Sequence, residues 1–324
     1  MKKILCFLLL LPLLIFAQTD TISLDQYGSI RRTFESGLLV KVERLSPEGN
    51  ISYFHTYIYD GNGKLVEEQL IGDTGSIHYS NNAIESKYLR ESWSCNDQGI
   101  TNYEVNGLLT QEFESKCCSY KYDNRGNLIK KDDTQFVYDE NDRLIQAISD
   151  EMVALYRYDN EGRTLFKRVN GQEEYYLYLE SIQIGTTDRN KKKKKLRVPG
   201  QILDKYTSRA IAFETDKGVF APIHNIQGNI VKLVNINTKE VIILRAADPF
   251  GRDLKEEIIP WQYYSKHFDP ETKLVYFGGR YYSPELMKWI TNDPLFQCLD
   301  PHNYCFNQPL KYFDPTGLWA STFI

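Results

Sequence analysis

The sequence predicts an all-β chain of repeated antiparallel hairpins, on three observations. Aromatic residues abound, with 23 Tyr and 16 Phe in 324 residues against 3 Met, and aromatic side chains suit a pleated, half-buried surface. A short pattern recurs, in which an aromatic strand, an Asp-led turn and a second alternating strand follow one another. Near the C-terminus, Asp-Pro pairs and further prolines punctuate the segment from Tyr276 to Leu318 too often for a long helix. With 42% hydrophobic and 25% charged residues the chain has the apolar mass for a sizeable core. Its net charge of −4 gives no case for nucleic acid or a membrane surface as a partner.

The chain opens on Lys2-Lys3, an apolar run from Ile4 to Phe16, and Ala17-Gln18. A charged start, a hydrophobic middle and a small-residue exit predict a secretory signal peptide over residues 1–17, with the mature chain starting near Gln18 in the cell envelope or outside the cell. The apolar run is shorter than the roughly 20 residues that span a bilayer, so a retained anchor is the alternative, and no stable membrane span is expected after removal. Cys6 sits inside the run and is not read as a lipid-attachment site. Of the remaining cysteines, Cys95, Cys117, Cys118, Cys298 and Cys305, Cys298 and Cys305 are candidates for a bridge across a turn. Adjacent Cys117 and Cys118 point to opposite faces of a strand. The plainer reading makes all five small buried residues. No Cys-x-x-Cys pair occurs and the histidines are scattered, so neither a metal nor another cofactor is expected.

From residue 18 to 110 the pattern is alternating and turn-rich. Tyr57-Ile58-Tyr59, Asp60-Gly61-Asn62-Gly63 and Lys64-Leu65-Val66 read as a hairpin, and Asn106-Gly107 marks another turn. Over 111–200 the pattern sharpens into a repeat: Tyr122-Asp123 with Gly126 and Leu128, Tyr138-Asp139 with Asp142 and Leu144, Tyr158-Asp159 with Gly162 and Leu165. Tyrosines two apart share a strand face and stack on the next hairpin. Asp at the first turn position bonds backbone amides, and Gly three residues later supplies positive φ. Asp142 stands there in the middle copy, one of the few other residues tolerated. The run Lys191 to Lys195 reads as a solvated loop tip shielding a sheet edge, with a polyanion patch as the alternative.

These copies resemble YD (RHS) repeats, whose pattern is Tyr-Asp-x-x-Gly followed by a leucine-containing strand. Further on, His224-Asn225-Ile226-Gln227-Gly228-Asn229, Ala246-Ala247-Asp248-Pro249-Phe250-Gly251, Gly278-Gly279-Arg280-Tyr281-Tyr282 and Asp314-Pro315-Thr316-Gly317-Leu318 resemble successive blocks of the RHS repeat-associated core. Ala247 stands for the usual Tyr, Ser283 for the Asp before Pro284, and Met287-Lys288 for Gly-Arg. The resemblance covers about 110–318 and identifies an RHS/YD-repeat protein of the polymorphic-toxin or toxin-complex shell type, with a teneurin-like YD shell. It implies a curled YD-repeat sheet ending in the core over 201–318, with 319–324 as a short tail. For a chain of this length we expect a partial shell or barrel-like wrap with an inward face rich in Tyr and Phe.

In family members that enclose a toxin, the chain is cut after the leucine of Asp-Pro-x-Gly-Leu by an aspartic-protease-like site. Carried over, the scissile bond is Leu318–Trp319, the carboxylates are Asp293, Asp314 and Asp300, and Arg280 is the nearby cation or a sheet-locking partner. Such chemistry needs two carboxyl groups held so close that one keeps its proton while the other activates water. The plain alternative is that Asp-Pro ends strands and caps turns. Only six residues follow Leu318, where a toxin domain normally begins, so the leading expectation is a secreted, non-catalytic shell or scaffold fragment related to toxin-delivery proteins. Its partners would be other RHS or toxin components. The alternatives are self-cleavage after Leu318 and a surface adhesin binding glycan or protein through exposed aromatics. A hydrolase acting in trans lacks a Gly-x-Ser-x-Gly elbow or phosphate loop.

Overall fold

The computed structural model describes residues 17–322 apart from 81–82, 88–89, 97–98, 106–107, 110–118, 205–206, 245–248, 253, 255–257 and 296–298. The expected signal peptide, the Asn106-Gly107 turn, Cys117, Cys118, Asp248 and Cys298 therefore lie outside the described residues, wholly or nearly so. Among the described residues helix is confined to single 3-10 turns, and the regular structure is antiparallel β, as predicted. Strands pair in chain order: ten from Gln18–Ser23 to Leu108–Leu109 form one sheet, and thirteen from Tyr120–Tyr122 to Val241–Ile243 a second. Four strands from His267–Asp269 to Lys288–Trp289 form a third, and Tyr312–Phe313 pairs with Ser321–Thr322. Among the described residues neither large sheet closes on itself.

The repeat works through one turn. Asp60, Asp123, Asp139 and Asp159 each accept two backbone N–H groups on Oδ1, from the residues two and four positions on, at 2.8–3.0 Å. The residue three positions on is left-handed: Gly63 at φ 80°, Gly126 at 82°, Asp142 at 58° and Gly162 at 81°. The register shifts by one residue at the tyrosine of each copy, which is the bulge that follows a three-residue hairpin loop. A further copy was hidden in the sequence. Asp188 accepts the N–H groups of Asn190 and Lys192, both at 2.9 Å, with Lys191 in the left-handed position at φ 60°. The lysine run is therefore half turn and half strand, because Lys193–Asp204 is already a sheet strand and Lys193 pairs with Glu214.

Successive hairpins are joined by the tyrosines. Tyr138 donates its hydroxyl to the Leu128 carbonyl at 2.8 Å and Tyr158 to the Leu144 carbonyl at 2.6 Å, each reaching the leucine of the preceding copy. Arg143 stacks over Tyr158 at 5.2 Å and Arg163 over Tyr178 at 5.3 Å. Burial pushes the hydroxyls of Tyr138 and Tyr158 far above the ordinary phenol range, so they stay donors.

The two large sheets pack face to face. Ile30, Val42, Tyr57 and Ile77 of the first share one core with Ile184, Val198, Ile211 and Ile223 of the second. The first sheet's inner face is mainly aliphatic, whereas the expected aromatic face belongs to the repeats and the C-terminal part. Arg44 crosses this interface to Glu214 at 2.8 Å, and Tyr53 donates to the same carboxylate at 2.7 Å. Elsewhere the second sheet is covered by the C-terminal part: Leu128, Leu144 and Tyr156 pack on Leu274, Tyr281 and Ile290, and Phe213 stacks with Trp261. Cys305 is a free buried thiol, the plainer of the two readings of that residue.

One buried ionic cluster joins the second and third sheets. Lys167 sits 2.6 Å from Glu271 and 3.3 Å from Asp269, while Tyr156 donates to Asp269 at 2.5 Å. Burial, then the Asp269 carboxylate beside it, push Glu271 up to about 7 despite the lysine. His267, lowered to about 4 chiefly by burial, and Glu174 and Lys195 complete the surroundings.

Two outcomes are expected. Gly162 has open space around its missing Cβ but a positive φ, so Gly162→Ala should cost about 1 kcal/mol from backbone strain, whereas Lys191→Gly should stabilise by roughly 0.5–1 kcal/mol. Denaturant melts giving both the same sign would remove the turn argument. For Glu271 the folded carboxyl is raised, so its contribution is present below the ordinary carboxylate range and lost as pH rises through about 7. Stability should therefore fall between pH 5 and 8 more steeply in the native chain than in Glu271→Gln; parallel pH profiles would refute it.

Candidate functional site

The third sheet lies on an aromatic floor. Tyr282 and Tyr304 are 4.2 Å apart ring to ring, Phe277 and Trp289 5.2 Å, Trp289 and Tyr304 5.4 Å. Arg280, at the start of Tyr281–Ser283, lays its guanidinium 4.3 Å over the Trp289 ring. The strap from Asp314 to Leu318 crosses this place, and glycine makes the crossing possible. A Cβ on Gly279 would lie 2.6 Å from Leu318 Cγ, and one on Gly317, where φ is +75°, 2.9 Å from the Arg280 amide. The Gly279 N–H donates to the Thr316 carbonyl at 2.8 Å and Arg280 Nε to the Gly317 carbonyl at 2.5 Å.

Two of the three candidate carboxylates converge here. Arg280 Nη2 is 3.8 Å from Asp293 Oδ1 and 3.9 Å from Asp314 Oδ2, and the three residues are 6%, 4% and 3% exposed. These are ion-pair distances longer than hydrogen bonds. Asp300 stands apart, half-exposed, paired with Lys288 at 2.9 Å and accepting the His302 N–H at 3.0 Å. Local bonds set each carboxylate. Asp293 accepts the Leu295 N–H at 2.9 Å. Asp314 Oδ1 accepts the N–H groups of Thr316, Gly317, Leu318 and Trp319 at 3.0, 2.7, 3.2 and 3.3 Å. Asp314 thus caps the strap turn and also touches the amide nitrogen of the Leu318–Trp319 bond. Beyond that bond, Ser321 and Thr322 pair in register with Phe313 and Tyr312, and Trp319 is exposed.

Between these groups is a cavity of about 20 Å³ lined by Arg280, Asp293, Asn303, Cys305, Asp314 and Ala320, the size of one water molecule. Burial, then the Asp314 carboxylate, push the Cys305 thiol well above its ordinary range, so it is a neutral wall and no nucleophile. Sequence reading missed Trp289, Asn303 and Cys305 as members of this group; their place in the same proline-punctuated stretch was the only signal. Among the described residues no three His, Cys, Asp or Glu side chains gather to hold a metal.

Removing the shared cation leaves two buried carboxylates without it. Arg280→Ala should therefore destabilise by about 3–5 kcal/mol, while Asp300→Ala, at a half-exposed pair, should cost less than about 1 kcal/mol. Equal losses in guanidinium titrations would show that Arg280 does not hold the strap.

The comparisons with known proteins bear on this architecture as a whole. The family model described as Teneurin YD-shell matches residues 35–311. The chain is 25% identical over 219 residues to a tRNA3(Ser)-specific nuclease WapA of Bacillus spizizenii, covering 62% of this chain and 9% of that protein. It is 24% identical over 252 residues to Teneurin-m of Drosophila melanogaster, covering 75% of this chain and 8% of that one. Among solved structures, the TcdB2-TccC3-Cdc42 crystal structure superposes with a TM-score of 0.57 at 14% identity, covering 90% of this chain and 22% of that one. A Photorhabdus luminescens Tc holotoxin pore does so with a TM-score of 0.58 at 13% identity, covering 94% and 23%. The chain spans less than a tenth of the curated relatives and under a quarter of these structures. With uninterrupted hairpin meanders and a family match over most of its length, the chain belongs to the teneurin YD-shell family.

Proposed function

We propose that this chain is a non-catalytic structural segment of a secreted YD shell, exported through residues 1–17, with its C-terminal part the RHS core. The observation that carries this reading is the strap at Asp314–Leu318, folded back onto the third sheet and tied there by buried Arg280. An end fixed in this way rigidifies the wrap. Its partners are other shell or toxin-delivery components. The repeat tyrosines Tyr138, Tyr158 and Tyr178 spend their rings on the next hairpin or the core, which supports a scaffold over an adhesin presenting them to glycan.

A second reading, self-cleavage between Leu318 and Trp319, is favoured by one contact: the Trp319 N–H on Asp314 Oδ1 at 3.3 Å. A carboxyl group there is placed to pass a proton to the departing nitrogen, with Asp293 across the cavity to take one from water.

Intact-mass measurement of purified full chain separates the two. The scaffold reading expects an unchanged C-terminus at Ile324 after prolonged incubation. Loss of Trp319–Ile324, abolished in Asp293→Asn and Asp314→Asn, would replace it with self-processing. Export itself expects a mature N-terminus near Gln18; secreted chain that keeps Met1 would refute the signal reading.

A further inference from the structure

The cavity beside the strap contains an acceptor with nothing to accept. The Asn303 carboxamide oxygen is buried without a hydrogen-bond partner and its residue lines the same space of about 20 Å³ as Asp293, Asp314 and Arg280. A buried acceptor left unmatched costs about 1–3 kcal/mol. One water molecule fits the volume, and the lining supplies the two to four polar partners such a water needs.

We propose that Asn303 holds a water molecule between Asp293 and Asp314, the second of which accepts the amide N–H of the Leu318–Trp319 bond, as the water-positioning residue of self-cleavage. The inference rests on the second reading above. Held by its hydrogen bond to Asn303 Oδ1, the water points its other proton at Asp293. As the water oxygen bonds to the Leu318 carbonyl carbon, Asp293 takes that proton. When the tetrahedral carbon collapses, the carbon–nitrogen bond breaks and the proton that Asp293 took from the water passes by way of Asp314, whose oxygen lies 3.3 Å away, to the Trp319 nitrogen. The products are a carboxyl group on Leu318 and an α-amine on Trp319, and the two aspartates end as they began. The Cys305 thiol, neutral beside the cavity, takes no part in the bond-breaking.

The test uses the full chain. Release of Trp319–Ile324 is followed by mass spectrometry in denaturant, because the pairing of Ser321–Thr322 with Tyr312–Phe313 would hold a cut tail in place under native conditions. Asn303→Leu, similar in size but unable to accept, should slow release roughly tenfold or more, the worth of one good hydrogen bond. Asn303→Asp, which keeps an acceptor, should restore most of the rate, a rescue that a merely structural role would not give. Release from Asn303→Leu at the native rate overturns the role of Asn303 and leaves self-cleavage standing. No release from the native chain sinks both. Should Asn303→Leu fail to fold, a crystal structure of uncut Asp293→Asn decides: density for a water within hydrogen-bond distance of Asn303 Oδ1 supports the assignment, and an empty cavity overturns it.

Discussion

The Asp-capped turn is the constraint on which the rest of this protein depends. One carboxylate oxygen accepts two amides and the residue three positions on takes positive φ, so a hairpin of this kind closes within five residues without help from outside. Such a turn fixes strand pairing to chain neighbours, and a chain of such turns has no route to a crossover. The bulge beside each tyrosine adds twist. Twist repeated over ten and thirteen strands curls the sheets, and a curled sheet must fill its concave side.

How that side is filled determines the character of the chain. The first sheet covers part of the second with aliphatic side chains, and the C-terminal part covers the rest with aromatic ones. Three sets of buried charged groups pair across interfaces: Arg44 with Glu214, Lys167 with Asp269 and Glu271, Arg280 with Asp293 and Asp314. Buried pairs of this kind add little net stability compared with apolar packing, but a wrong register would leave each charge alone at a cost of several kcal/mol. They therefore specify which sheets meet, at what offset, and where the strap ends.

Arg280 shows how one residue serves both readings of the C-terminus. Stacked on Trp289 and bonded to Gly317, it fixes the strap. The same fixation brings the Leu318–Trp319 amide onto Asp314 and keeps Asp293 across a water-sized gap. A scaffold lock and a cleavage site need the same rigidity. They differ only in whether a water can reach the Leu318 carbonyl.

The sequence by itself determined the all-β class, the hairpin repeat and the turns led by Asp60, Asp123, Asp139 and Asp159, because each is held by hydrogen bonds spanning two to four residues. It concealed the Asp188 copy, where Lys191 occupies the position glycine usually marks. The family resemblance grouped Asp300 with Asp293 and Asp314, though Asp300 turns outward to Lys288. Only the tertiary structure decided that the first sheet would bury aliphatic residues against the second, that Tyr156 and Lys167 would meet Asp269 from more than a hundred residues away, and that Asn303, Cys305 and Trp289 would surround the strap. Those contacts depend on the accumulated curl of many hairpins, and no local spacing encodes where a curled sheet brings its two ends.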